Sequence, residues 1–328
     1  MNRPKISVLI PTYNYARFLP EAIESVLAQD FRDFELLIVD DCSADNTAAI
    51  VQPFCSRDAR VRFTVNAANL GMVNNWNHCL EEARGEYVKF LFADDKLCHP
   101  QALGKMAALL ESHPSATLAA SARAILDEES KVVDVWRPLA EGCHNGRKII
   151  TACLMENGKN LVGEPSAVLF RKSDARRGFD PQYRQIVDVE MWFHLLEKGD
   201  LAYTREPLCA FRCHPLQQTE QNTESGIGLK EGTLFYSHYA AQGRFPREVV
   251  YSILFQLRRS RRKNPTATGP EMVEWQRQMI SRWGRGWQWS YWLYCIRYRI
   301  AKPFRNLAHS AQKRWFRRRF RSGWACFS

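Results

Sequence analysis

Apolar and polar positions along the first third of the chain fall into two kinds of run. Short, largely apolar runs occur at Lys5–Ile10, Phe34–Val39 and Tyr87–Phe92, and the more mixed Val61–Asn66 reads as a further strand. Such runs predict strands covered on both faces. Between them, apolar residues recur three and four apart. Phe18, Leu19, Ile23, Val26 and Leu27 predict a helix over 18–29. Further helices are expected from a cap at Ser43 or Asp45 to about Phe54, from about Val73 to Ala83, and from about Pro100 to Glu111. The order βαβαβαβα with short links predicts an α/β fold built on a doubly wound, mainly parallel sheet with flanking helices.

The pattern is looser afterwards. One or two strands are expected in 117–135 with a turn at Asp127–Ser130. Then come a helix over 146–157, a loop at Leu161–Ser166 and a strand at Ala167–Phe170. A polar segment, Asp174–Arg184, precedes a helix over 187–198 and a strand over 201–212. Residues 217–228 read as polar and mobile, and helical segments follow from Thr233, interrupted around 263–270. The division expected is a catalytic domain over 1–230 and a helical, basic extension over 231–328.

Three strand ends carry polar clusters: Pro11-Thr12-Tyr13-Asn14, Asp40-Asp41-Cys42-Ser43 and Asp94-Asp95. Parallel strands put all three at one sheet edge, where open α/β sheets bind ligands. Adjacent carboxylates repel unless a cation lies between them and a partner. A hard divalent ion carrying a substrate phosphate meets that need; an N-capping Asp at a strand-to-helix turn is the plainer alternative. Neither G-x-G-x-x-G nor G-x-x-x-x-G-K-S/T occurs, so a glycine-rich phosphate loop is not expected.

Ile6-Ser7-Val8-Leu9-Ile10-Pro11-Thr12-Tyr13-Asn14, Phe34 to Ser43, Asn69-Leu70-Gly71 and Phe92-Ala93-Asp94-Asp95 stand in this order. In order and spacing they resemble the GT-A glycosyltransferases of family 2, over roughly residues 4–215. The resemblance implies an inverting transfer of a sugar from a nucleoside diphosphate, UDP- or dTDP-linked, to a glycan or lipid-linked hydroxyl, with Mg²⁺ or Mn²⁺. By the same resemblance Pro11, Thr12, Tyr13, Asn14, Asp40, Asp41, Asn69, Gly71, Asp94 and Arg212 border the donor. Asp94, Asp95 and His214 are the implied metal ligands. Phe92 stands where the family's usual first acid would be, a departure that also suits a non-catalytic binder of sugar nucleotides. Asp188-Val189-Glu190-Met191-Trp192 resembles the family's segment carrying the base. Asp188 takes that role, to accept the acceptor's proton. Glu190 and Glu164, the latter in Gly163-Glu164-Pro165-Ser166, are the implied acceptor contacts.

Charge adds one feature. The formal net charge is +11, yet residues 275–328 hold 13 Lys or Arg and no acid, leaving 33 basic and 35 acidic residues in the rest. The body has no nucleic-acid signature. Seven of the ten tryptophans also lie from Trp275 onward. Trp289, Trp292, Leu293, Ile296 and Ile300 share a helical face flanked by Arg285, Arg297, Arg299, Lys302 and Arg305. Aromatics with Arg and Lys suit an anionic membrane surface; a docked helix and RNA stacking are the rivals. Ten scattered cysteines without a C-x-x-C pair, and no N-terminal apolar leader, point to a cytoplasmic protein peripheral on the inner membrane face.

Overall fold

The computed structural model describes residues 3–155, 159–215, 246–263 and 286–297, with isolated positions at 277 and between 217 and 239. Strands β1 (Ile6–Thr12), β2 (Phe34–Asp40), β3 (Val61–Val65) and β4 (Tyr87–Phe90) alternate with helices α1 (Leu19–Leu27), α2 (Thr47–Arg57) and α3 (Met72–Glu82). Then come β5 (Lys96–Leu97), α4 (Ala102–Ser112), β6 (Ala116–Leu126), β7 (Val132–Trp136), β8 (Gly142–His144) and α5 (Gly146–Met155). β9 (Val168–Arg171), α6 (Val187–Leu196), β10 (Asp200–Arg212) and α7 (Arg247–Lys263) complete the sequence, with 287–297 also helical.

The sheet runs β3-β2-β1-β4-β9-β6-β10-β5, with β7 beside β6 and β8 beside β10. β1 to β4 pair in parallel, as the run pattern predicts. β9 is antiparallel to both β4 and β6, so β6 again runs with β4, and β10 is parallel to β6. The carboxyl ends of β1, β2, β4, β6 and β10 therefore share one edge. β1 continues through Pro11 to Thr12, which pairs with Asp40. β4 stops at Phe90, short of the expected Phe92.

Strand residues alternate between two buried faces. Ile6, Val8, Ile10, Phe34, Leu36 and Ile38 pack with α1, α2 and α4 residues such as Ile23, Val51 and Met106. Beyond that cluster lie aromatic contacts. Trp76 of α3 meets Phe90, Phe92 and Phe179 at 6.2, 4.8 and 5.3 Å, and Phe170 meets Trp192 of α6 at 5.9 Å. The Phe92 ring, at the position of the missing first acid, thus packs on Trp76.

The chain divides into two compact units. One comprises Met1–Ile150 with Asn160–His214; the other comprises Thr151–Lys159 with Pro215–Ser328. The break falls after His214, earlier than the expected 230. In the second unit Tyr291 packs on Tyr251 of α7 at 5.9 Å, under the Arg258 guanidinium. The segment 217–228, expected to be mobile, and Ile300 onward lie mostly or wholly outside the described residues.

Candidate active site at the carboxyl edge of the sheet

The three polar strand ends meet through short contacts. Thr12 and Asp40 are register partners. The Asn14 N–H donates to Ser43 Oγ at 2.8 Å, and the Ala44 N–H donates to Asn14 Oδ1 at 2.9 Å. Asn14 holds φ +58° to make this link, a conformation its short polar side chain tolerates. Tyr13 is exposed beside it and Pro11 is buried within β1. Asp40 accepts the Ser43 N–H at 3.2 Å and the Ser43 hydroxyl. Burial raises its pKa despite these bonds.

Asp41 is committed elsewhere. Its oxygens accept the Leu70 and Gly71 N–H groups at 2.8 and 2.9 Å and the Asn66 amide at 2.8 Å. Asn69 accepts the Gly71 N–H and donates to the Asp41 carbonyl. Gly71 supplies φ +83° at the start of α3. Asp41, Asn69 and Gly71, implied donor contacts, build the turn that closes β2 onto α3.

Asp94 and His214 come together. His214 Nε2 lies 3.0 Å from Asp94 Oδ2, both side chains being largely buried. Phe18 and Tyr15, from the loop after β1, flank the imidazole at 4.9 and 5.8 Å. Asp95 is buried: Oδ1 accepts the Arg212 N–H at 3.0 Å, the Ser166 hydroxyl lies near the carboxyl, and Oδ2 has no hydrogen-bond partner. Burial and the neighbouring Asp94 charge push its pKa well above the ordinary value. Among the described residues no three acid, His or Cys side chains cluster tightly enough to hold a metal ion alone. An Asp–His pair with a buried, unpartnered carboxylate oxygen alongside still fits a divalent ion whose remaining ligands are phosphate oxygens.

Arg212 departs from its expected role at the diphosphate. Its Nε donates to the Asp94 carbonyl at 2.8 Å, Nη1 to Ser130 Oγ at 2.8 Å and to the Asp127 carbonyl at 3.2 Å, and Nη2 to Glu21 Oε2 at 2.5 Å. The guanidinium ties α1, the β6–β7 turn and the metal-side acid together from a 1% exposed position. Glu190 is likewise occupied, both oxygens lying 2.7 Å from Arg177 Nη2.

Asp188 sits in the first turn of α6. Thr117, at the start of β6, donates to the Leu195 carbonyl near the other end of that helix. The helix therefore points its amino end to the same sheet edge. Asp188 Oδ1 accepts the Val189 N–H and Oδ2 accepts the Asn160 amide, each at 2.8 Å. Burial, then the Glu164 charge, raise its pKa to about 7. The Glu164 charge also raises Asp95, so it acts on both the metal-side acid and the candidate base. Glu164 Oε2 lies 2.5 Å from Nε of Arg123, a buried cation stacked on Trp136 at 4.9 Å.

Sequence reasoning missed Arg123, Asn160, Ser166 and the role of Lys89. Ser166 accepts the Phe92 N–H at 3.0 Å, and its carbonyl accepts from the wholly buried Lys89 ammonium. Only the Lys within the apolar β4 run hinted at any of this.

A model of glycosyl transferase family 2 matches residues 7–179, over half of the chain, and the chain belongs to that family. It is 32% identical over 219 residues to the protein MT1568 of Mycobacterium tuberculosis, covering 64% of this chain and 67% of that one. It is 29% identical to the putative glycosyltransferase EpsE of Bacillus subtilis, over 61% of this chain and 69% of the relative. The putative teichuronic acid biosynthesis glycosyltransferase TuaG of the same organism is 27% identical, over 61% and 75%. Two solved structures share the fold, each with a TM-score of 0.56. Staphylococcus aureus TarS 1–349 in complex with UDP-GlcNAc, 18% identical, overlaps 71% of this chain and 66% of that one. The mannosyltransferase PcManGT of Pyrobaculum calidifontis with GDP-Man and Mn²⁺, 15% identical, overlaps 94% and 88%. The fold is GT-A.

Proposed function

We propose that this chain is an inverting, metal-dependent hexosyltransferase. It would move one sugar from a UDP- or dTDP-linked donor to a hydroxyl of a glycan or lipid-linked acceptor in cell-surface polysaccharide synthesis. One observation carries the reading: Asp188, with a proton affinity tuned to about 7, lies at the same sheet edge as the Asp94–His214 pair. A base with that affinity both holds and releases a proton at neutral pH. Asp188 takes the acceptor hydroxyl's proton as the oxygen attacks the anomeric carbon opposite the diphosphate. Asp94 and His214, with Asp95 behind them, would hold Mg²⁺ or Mn²⁺, which when bound offsets charge on the leaving phosphate. The Thr12–Asn14 and Asp40–Ser43 loops border the nucleoside, and Glu164 meets the acceptor. The neighbour TarS binds UDP-GlcNAc, which supports a nucleoside-diphosphate sugar as donor, and EpsE and TuaG support the polysaccharide setting by similarity.

Turnover of UDP-sugars with Mn²⁺ tests the reading. Asp188→Ala and Asp94→Ala should each lose at least about a hundredfold in kcat. Wild-type kcat/KM should fall about tenfold per pH unit below 7, as Asp188 takes up its proton. Equal turnover in all three proteins removes the site assignment, and donor binding without turnover in the wild type leaves a sugar-nucleotide binder.

The second unit supports a peripheral seat on an anionic membrane, on the inner face. Trp289, Trp292 and Leu293 are 72%, 55% and 50% exposed, while Tyr291 of the same helical stretch is turned inward. No helix among the described residues is long and apolar enough to cross a membrane.

A further inference from the structure

Asp188 can act as a base only if one of its oxygens is held at a fixed angle toward the incoming hydroxyl. A carboxylate at a helix start has two staggered choices for its first torsion and a broad second one. Two contacts remove that freedom. The Val189 N–H holds Oδ1, a local bond to the neighbouring backbone of the kind short acids make. The Asn160 amide holds Oδ2 from twenty-eight residues away.

Asn160 is saturated on both ends. Its amide nitrogen donates to Asp188 Oδ2 at 2.8 Å and to the Gly163 carbonyl at 3.0 Å. Its oxygen accepts the Val162 N–H at 3.1 Å and the Gly163 N–H at 2.9 Å. These four bonds fix which end is nitrogen, because two backbone donors need the oxygen. The Gly163 carbonyl also accepts the Trp192 indole N–H at 2.8 Å, tying the same turn to the body of α6. Gly163 holds φ +121°, and a Cβ there would lie 3.0 Å from Arg123 Nη1. The turn is thus narrow and pinned on three sides, and Glu164 is its next residue.

We propose that Asn160 is the positioning residue for the base: one amide fixes the Asp188 carboxylate and, through the same turn, sets Glu164 opposite it. This rests on the reading of Asp188 as the base. The arrangement follows the general scheme in which a third group orients the base of an active site. The charged groups acting on Asp188 are Glu164, which raises its proton affinity, and Arg123, which lowers it. Glu190 of the same helix is held by Arg177.

The test separates donor from turn-former. Asn160→Asp keeps an oxygen for the Val162 and Gly163 N–H groups, loses the amide donor, and sets a second carboxylate against Asp188. Asn160→Ala loses both functions. The first arm needs no substrate. In protein labelled with ¹³C at aspartate Cγ, the Asp188 signal is assigned by its loss in Asp188→Asn, and its titration midpoint is followed. The midpoint should rise in the order wild type, Asn160→Ala, Asn160→Asp, by about one unit or more in total, because a lost donor and then a like charge each favour the neutral form. Equal midpoints overturn the proposal. The second arm is hydrolysis of UDP-GlcNAc, UDP-glucose and GDP-mannose with Mn²⁺. Asn160→Asp should lower kcat at least about fivefold at pH 7, since a one-unit shift takes the unprotonated fraction of the base from about a half to about a tenth, with donor KM within about twofold. Wild-type kcat in Asn160→Asp beside an inactive Asp188→Ala overturns the positioning role and spares the base. Full turnover in Asp188→Ala overturns the base itself.

Discussion

Lys89 carries a charge where none could be left unattended. It is wholly buried in β4, donates to the Ser166 carbonyl, and its pKa is lowered to about 8 by burial, with Cys209 and Asp95 pulling the other way. A lysine that binds its proton less tightly when folded than when unfolded destabilises the fold below both values. Between pH 8 and the ordinary lysine pKa the folded state sheds the proton first, so stability rises with pH across that window. The shift corresponds to about 3 kcal/mol. Lys89→Met removes the titration. The difference in unfolding free energy, wild type minus variant, should therefore grow by up to about 3 kcal/mol between pH 8 and 10 in urea denaturation. A flat difference would mean that Lys89 holds its proton in the fold as firmly as in the unfolded chain, as a solvated lysine does.

Among the elements, the last strand matters beyond its length. β10 ends at Arg212, whose guanidinium joins α1 through Glu21, the β6–β7 turn through Ser130, and the Asp94 backbone. Glu21 is 36% exposed, so the pair is only half buried, and removing the guanidinium with its hydrogen bonds costs about 1 to 3 kcal/mol. Arg212→Ala should lose that much stability in denaturant titrations and weaken Mn²⁺ affinity. Arg212→Lys should recover little, because one ammonium cannot reproduce a fork that reaches three elements. Arg212 also marks how far the sequence could be read. The βαβ half was legible because buried parallel strands are nearly all apolar and their acids begin where pairing ends. Asp94 could be singled out at such an end, while Asp188 and His214 were singled out only through the family resemblance. The consumption of Arg212, Glu190 and Asp41 by internal partners was not, since an occupied side chain and a waiting one are written with the same letter. Asn160 lay in a loop without periodicity, and Arg123 reads as an ordinary strand residue until Glu164 and Trp136 close over it. The antiparallel β9, inserted between β4 and β6, could not be read either, because a four-residue apolar strand carries no direction.

At the scale of the whole molecule, charge is divided along the chain. Up to residue 274 acids and bases nearly cancel, and all of the excess falls on 275–328. Thirteen cations without an acid repel one another, and a surface of opposite sign offsets that repulsion. Trp289, Trp292 and Leu293 add a component that water does not favour: three large apolar side chains at positions i, i+3 and i+4, each at least half exposed. The two components make separate demands. Charge alone gives binding that fades as salt shortens the screening length, at about 1 kcal/mol per cation near the surface. Indole rings seated at the headgroup level add an apolar contribution that salt does not remove. Wild-type protein should float with phosphatidylglycerol vesicles at about 50 mM salt, remain partly bound at about 500 mM, and ignore phosphatidylcholine. Trp289→Ala/Trp292→Ala should bind at low salt and be released at high salt, while a chain ending before residue 275 should not bind at either. Wild-type protein left in solution by anionic vesicles at low salt would rule out the membrane surface. Release of wild type and double variant at the same salt would show that the exposed rings are not what it seats.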